Sequence, residues 1–206
     1  SNIVQESGVF RVETGEGKLY AKHVVWAVGE FQYPKLIAFV GSNLCRHTST
    51  IESYDSLEGD DFVIIGGYES GLDAAYHLAR RNKRVTLIDR DCPWGEESSD
   101  PSIALSTFSF ERMEDERFKA NVQLVPETQV NCVEQLDDGY QVITTDGQCF
   151  ETKTKPLLAI GFAGGHGLVA DLFELRDDGF PLLTKNDEST QTPGLFLCGP
   201  YVRHGN

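Results

Sequence analysis

What this chain lacks narrows the field before anything it contains. Its five cysteines (Cys45, Cys92, Cys132, Cys149 and Cys198) include no C-x-x-C, which leaves no local redox dithiol and no zinc knuckle. An odd, scattered set of thiols fits a reducing compartment, so a cytoplasmic location is expected. The five histidines do not cluster either. Cys45-x-His47 is the nearest thing to a ligand pair, and no metal site is assigned. Positive charge is scarce as well: 18 Lys and Arg stand against 32 Asp and Glu, for a net charge of −14. That balance argues against a nucleic acid or an anionic membrane as partner. Any phosphate-binding site must then be local and built from backbone. No apolar run approaches the roughly 20 residues of a membrane span, and no secretory signal pattern is read. No side chain stands out as an acid, base or nucleophile, so none is assigned a catalytic role.

What is present is organised around Asp61–Arg90, DFVIIGGYESGLDAAYHLARRNKRVTLIDR. Phe62–Ile65 is a short apolar run closed by Gly66-Gly67, the pattern of a strand buried on both faces of a parallel sheet. Leu72, Ala75, Tyr76, Leu78 and Ala79 then recur at helical spacing. Arg80, Arg81 and Lys83 place positive charge at that helix's C-terminal end. Val85–Ile88 is a second strand, with Asp89 at its carboxyl end. A helix opening directly after a glycine turn aims unpaired N–H groups and a positive dipole end at one spot, where a pyrophosphate can sit. Aligned on G-x-G-x-x-G, the stretch Gly66, Gly67, Tyr68, Glu69, Ser70, Gly71 keeps the first and last glycines and carries Tyr68 at the middle one. The middle glycine lets backbone approach the pyrophosphate. Tyr68 must therefore turn its ring aside, or the ligand sits differently, or the site is weak. Asp89 follows Gly66 by 23 residues, against the roughly 20 expected for an acid that accepts ribose hydroxyls. Dinucleotide binding is the stronger reading, and an ordinary βαβ unit with a tight glycine turn is the other. A serine-hydrolase elbow is set aside, because Ser70 comes three residues after Gly67 where G-x-S-x-G requires two.

Around this unit, Val9–Glu13 and Lys18–Val28 read as a strand pair joined by Thr14-Gly15-Glu16-Gly17. Residues 30–54 read as a loop crossing between two sub-domains. Residues 91–101, with Pro93, Gly95 and Ser98-Ser99, read as a loop, Ser106–Lys119 as a mixed-charge helix, and Val122–Val125 as a third parallel strand. Val130–Leu136, Tyr140–Thr144 and Gln148–Thr152 form a meander turning at Asp137-Asp138-Gly139 and Asp146-Gly147. Pro156–Ile160 is another apolar strand, Val169–Glu174 a helical turn, and Leu195–Leu197 a last buried strand. Ala159-Ile160-Gly161-Phe162 echoes Ala27-Val28-Gly29-Glu30-Phe31, each bringing a strand out of a meander to a glycine turn. His166, beside glycines, reads as a loop residue.

With those residues in hand, the chain resembles the two-dinucleotide-binding flavoproteins, and within them the flavin-containing monooxygenase group. Ala27-Val28-Gly29 followed by Pro34 is similar to their A-T-G with a proline, and Ile64–Ala75 to their nicotinamide-domain motif. Ala159–Phe162 resembles their second A-T-G-F, and Thr192–Gly199 resembles T-P-G-L-F-x-x-G. His47-Thr48 is a weaker counterpart of their H-S. The resemblance implies an α/β fold: a Rossmann-like NAD(P)-binding domain with a parallel sheet and β-meander, flanked by partial FAD-domain segments. The implied limits are 1–59 for a first FAD-domain piece and crossover loop, 60–155 for the NAD(P)-binding domain, and 156–206 for the returning FAD-domain piece. The family's N-terminal FAD motif is not among these residues, so a fragment is expected. Its implied cofactor-binding positions here are Gly66, Gly67, Tyr68, Glu69, Ser70, Gly71, Asp89, Arg90, Gly29, Gly161 and Gly199. Pro200 stands where many relatives place an aspartate that contacts flavin.

The implied function is an FAD-dependent, monooxygenase-like oxidoreductase in which NAD(P)H reduces bound FAD and a small molecule is the substrate. The fragment itself would be inactive. Asp89 favours NAD(H) by its charge, whereas Arg90, with Arg80, Arg81 and Lys83 nearby, would accommodate the 2′-phosphate of NADP(H). Both remain open, as does oligomeric state. The alternative from another class is a non-catalytic nucleotide-binding or interaction module.

Overall fold

The computed structural model describes residues 2–95, 98, 104–200 and 202. Of the loop expected over 91–101, residues 96, 97 and 99–101 lie outside the described residues. The chain divides into two compact units, Ser1–Pro34 with Phe162–Asn206 and, inserted between those pieces, Lys35–Gly161.

The outer unit begins with three antiparallel strands, β1 (Asn2–Glu6), β2 (Val9–Thr14) and β3 (Gly17–Ala21). β1 was not expected from the sequence. It turns into β2 at Ser7-Gly8, both with positive φ (50° and 77°), the backbone that a two-residue hairpin turn demands. The long strand expected over Lys18–Val28 is two. The pairing of β3 with β2 ends at Phe10 opposite Ala21, and β4 (Val24–Trp26) leaves that sheet for a parallel partner described below.

The central unit carries a five-stranded parallel sheet. Its strands are β5 (Arg46–His47), β6 (Asp61–Ile65), β7 (Arg84–Ile88), β8 (Val122–Val125) and, after the meander of β9 (Val130–Leu136), β10 (Gly139–Thr144) and β11 (Cys149–Thr152), β12 (Leu157–Leu158). The order is β5-β12-β6-β7-β8. β5 lies inside the segment expected to be loop throughout; two residues show no period, and only the edge of a sheet makes them a strand. Alternation along each strand sorts the core into two. Phe62, Ile64, Val85, Leu87 and Leu157 face one side, where α1 (Glu69–Ala79) packs Leu72, Ala75 and Leu78 against them. Val63, Ile65, Ile88 and Leu158 face the other, under Val130, Val133 and Val142 of the meander. Helices, parallel sheet and meander are thus three layers, and burial of each large side chain such as Leu87 contributes about 1.5–3 kcal/mol.

α1 stops where its sequence tells it to. Asn82 takes a left-handed φ of 58° and Lys83 N–H reaches back to Leu78 O at 3.1 Å, closing the last turn. The mixed-charge helix expected over Ser106–Lys119 is two short ones, α2 (Thr107–Met113) and α3 (Glu116–Asn121). The break has a local cause: the Asp115 side chain accepts from the N–H groups of Arg117 and Phe118, which makes it an N-cap.

After Gly161 the chain returns to the outer unit. A 3₁₀ stretch, Gly165–Leu172, replaces the turn expected at Val169–Glu174, and β13 (Leu195–Leu197) pairs in parallel with β4. Phe10, Trp26, Val169, Phe173, Leu195 and Leu197 form this unit's core. The echo read between residues 27–31 and 159–162 is architectural. In each unit a three-stranded antiparallel sheet feeds a parallel strand (β4 or β12), and a glycine of positive φ follows it (Gly29 at 70°, Gly161 at 82°).

Candidate functional site

Both neighbours of β6 follow it in the chain but lie on opposite sides of it, β7 reached directly through α1 and β12 from far downstream. The strand order reverses here, and in open parallel sheets ligands bind in the crevice beyond the carboxyl ends of the strands at such a point. A cavity of about 540 Å³ occupies this place, within the usual range for a small-molecule site. Gly66, Tyr68, Ser70, Asp89, Arg90 and Gly161 all contribute to its wall. A smaller hollow, about 380 Å³, lies at the amino ends of the strands beside Asp61 and Arg84, and the described residues that line it include no helix N-terminus.

Two of the glycines are required by close approach. A Cβ on Gly71 would stand 1.8 Å from Gly66 O, so only glycine lets the first turn of α1 settle on the end of β6. Gly66 has a φ of 100°, and a Cβ there would meet Ala159 O at 2.4 Å. These are the tight-turn and helix-packing roles of the first and last glycines in a dinucleotide fingerprint. α1's first intrahelical bond runs from Leu72 N–H to Tyr68 O at 3.0 Å, so the amides of Glu69, Ser70 and Gly71 precede the helical ladder. Together with the helix dipole they form an anion-binding end.

Tyr68, the residue in place of the middle glycine, directs its ring into the helix-side core, and its hydroxyl donates to Ala104 O at 2.7 Å. Glu69 turns the other way from the cavity. Its carboxylate accepts from Ser106 N–H, Ser106 Oγ and Ser109 Oγ, tying the start of α1 to the start of α2. Asp89 accepts three backbone N–H groups, from Gly67 (2.6 Å), Asp91 (2.8 Å) and Cys92 (2.7 Å). Arg90 makes a two-point contact with Asp91; that hydrogen bond and charge hold the Asp91 carboxyl below its usual range and raise the guanidinium.

The opposite wall comes from residues that no local pattern marked. Lys35, Ile37 and Phe39 line the cavity from the segment entering the unit. Gly161 O accepts both Lys35 N–H (3.0 Å) and His47 Nε2–H (3.0 Å). Ser49 N–H donates to His47 Nδ1, which fixes the neutral tautomer, and burial pushes the imidazole pKa below 6.5. Burial also pushes the Cys45 thiol up to about 12. Among the described residues no group of three or more His, Cys, Asp or Glu side chains is placed to hold a metal, and no helix is long and apolar enough to cross a membrane. Trp94 was also missed. Its indole N–H donates to Gly67 O at 2.8 Å, a contact with no signature in sequence spacing.

Gly29 and Gly199 belong to the outer unit and take no part in this cavity. They follow β4 and β13, which end in register at Trp26 and Leu197, so the two glycines lie at the same end of that parallel pair.

Comparison with known proteins agrees with this architecture. A bifunctional thioredoxin reductase/thioredoxin of Mycobacterium leprae is 27% identical over 204 residues, covering 93% of this chain and 41% of the relative. A ferredoxin–NADP reductase of Thermus thermophilus is 26% identical, covering 98% of this chain and 60% of the relative. The chain therefore spans about half the length of these curated relatives. Among solved structures, the bacillithiol disulfide reductase of Bacillus cereus superposes with a TM-score of 0.72 at 22% identity, over 97% of this chain and 61% of that one. The thioredoxin reductase of T. acidophilum gives 0.71 at 20% identity, over 98% and 65%. At such identities the structures establish a shared α/β fold. The sequence profile for pyridine nucleotide-disulphide oxidoreductases matches residues 1–199, and the chain belongs to that family.

Proposed function

We propose that this chain supplies the nicotinamide-nucleotide-binding part of a flavin-dependent oxidoreductase in which NAD(P)H reduces FAD. The observation that carries the reading is the crevice at the strand-order reversal, opening onto the Gly66–Gly71 turn and the start of α1. Gly66 and Gly71 let the turn close against Ala159 and the start of α1 settle on β6, and the helix N-terminus so placed fits a pyrophosphate. The first-turn amides and Ser70 would hold that group, and Ile37, Phe39 and Ile160 offer apolar walls to a ring. The nicotinamide and the flavin, when bound, supply hydride transfer; the protein's part is to bind, orient and exclude water. In this reading residues 60–155 are the NAD(P)-binding domain, and the turns at Gly29 and Gly199 belong to the FAD side. The reductase character of the relatives named above supports electron transfer to an acceptor. Oxygenation of a small soft nucleophile or ketone is the finer reading, carried by the motif resemblance at residues 27–34, 159–162 and 192–199. The five cysteines are free thiols and include no C-x-x-C.

A second reading, a non-catalytic nucleotide-binding or interaction module, is supported by Tyr68 in place of the middle glycine, by Pro200 after Gly199, and by a Gly67 N–H already bonded to Asp89 and so withheld from a phosphate. Calorimetric titration of the chain with NADH and NADPH tests the site. Binding of either nucleotide that is lost in Gly71→Val supports it, and absence of binding by the parent chain up to millimolar concentration overturns it. Yellow colour in a longer form of the protein, bleached by NAD(P)H, separates the enzyme from the module.

A further inference from the structure

An acid at the end of the second strand of a βαβ unit is expected to accept ribose hydroxyls. Here the Asp89 carboxylate is engaged from within the protein. Oδ1 accepts Asp91 N–H and Cys92 N–H, and Oδ2 accepts Gly67 N–H. A carboxylate has about four acceptor positions, so two ribose hydroxyls cannot both be taken without releasing a backbone amide. The residue's own main chain is anchored too: its N–H donates to Val125 O at 3.0 Å, and its carbonyl accepts Thr128 N–H at 2.9 Å.

The same loop returns to the glycine turn from the other side. Trp94 Nε1–H donates to Gly67 O, so both polar groups of Gly67 are held by residues that follow β7. A Cβ on Gly67 would stand 2.6 Å from the Trp94 ring and 2.8 Å from Asp89 Cβ. Gly67 is therefore glycine because this loop lies against it. Its place in the turn does not require a positive φ, unlike that of Gly66.

We propose that Asp89 is a positioning residue, which locks the glycine turn to the loop at 91–94, and that the choice between NADH and NADPH does not pass through its carboxylate. The consequence for nucleotide choice rests on the function proposed above; the lock itself does not. The carboxylate faces three N–H donors, and the exposed Arg90 and Asp91 beside it neutralise each other. Asp89 then acts on any nucleotide through the shape of the turn, which NADH and NADPH share.

The test uses the full chain and Asp89→Asn, with two readouts. Amide hydrogen exchange at Gly67, followed by NMR without nucleotide, reports the lock. Calorimetric Kd values for NADH and NADPH report the consequence. The expected result is faster exchange at Gly67, with both affinities weakened by the same factor of about ten, the loss of one charge-assisted hydrogen bond. Unchanged Gly67 exchange, or loss of NADH affinity alone, overturns the proposal. If the parent chain binds neither nucleotide, the site reading fails while Gly67 exchange still decides the lock. If Asp89→Asn does not fold, Trp94→Phe removes the other bond to Gly67. Faster Gly67 exchange with equal weakening of both nucleotides then supports the lock, and unchanged exchange or a shifted NADH/NADPH ratio overturns it.

Discussion

The two units bury their parallel strands very differently. In the central unit, Ile64, Leu87 and Leu158 are at most 1% exposed, and both faces of the sheet are covered, by helices on one side and the meander on the other. In the outer unit, among the described residues, the parallel sheet is the pair β4–β13, Val25 on β4 is 63% exposed, and Leu19 and Tyr20 on β3 are as open. Parallel sheets occur almost only with both faces covered, and a two-stranded element contributes little by itself. The difference teaches that an apolar strand in the sequence announces burial only where the neighbouring chain supplies the layers. Val24–Trp26 and Phe62–Ile65 look alike as strings, yet among the described residues only the second is packed by α1 on one face and by the meander on the other.

The comparison is easiest to break with large changes. Leu87→Ala opens a cavity between the sheet and α1 and is expected to cost about 2–5 kcal/mol, read as a shifted urea midpoint. Next comes a pH effect within the central unit. His47 is buried and its pKa is lowered, chiefly by desolvation, so the unfolded chain takes up a proton first as pH falls. Its contribution to stability is full above about pH 6.5 and is lost as pH drops through the lowered folded value. His47→Gln should therefore lose less stability between pH 7 and pH 5 than the parent does; equal losses in thermal melts would remove this role. The smallest effect belongs to the outer unit. Val25→Ser is expected to stay within about 0.5 kcal/mol, and a cost near that of Leu87→Ala would show that the two units do not differ as described.

Much of the central unit was legible because its signals are contiguous. Strand, glycine turn, helix and strand follow one another over Asp61–Ile88, and each carries its own period or punctuation. The meander was legible for the same reason, its turns being marked by Asp-Gly pairs. β1 went unread although Ser7-Gly8 marks its hairpin, since Asn2–Glu6 has only Ile3 and Val4 as apolar residues, side by side, and so neither alternates nor makes an apolar run. β5 has two residues and gave no period at all. The helix expected over 106–119 was misjudged as one because its charges suited a helix throughout, while the Asp115 side chain supplied a better partner for the amides of a new one. In the site, the turn glycines were legible by spacing. Trp94, Lys35 and Phe39 were not, because nothing local distinguishes an aromatic or a lysine that meets the turn from one that meets water.

The sequence by itself determined the βαβ unit, the glycines at 66 and 71, and an acidic residue at the end of β7. These follow from local sterics and from hydrophobic period, which need no distant partner. Only the tertiary structure decided that β12 lies beside β6 and so creates the crevice, that residues 35–39 form its far wall, and that the Asp89 carboxylate faces Gly67 and its own loop. Those outcomes depend on which groups the completed fold brings within hydrogen-bonding reach, and residue spacing along the chain does not contain that distance.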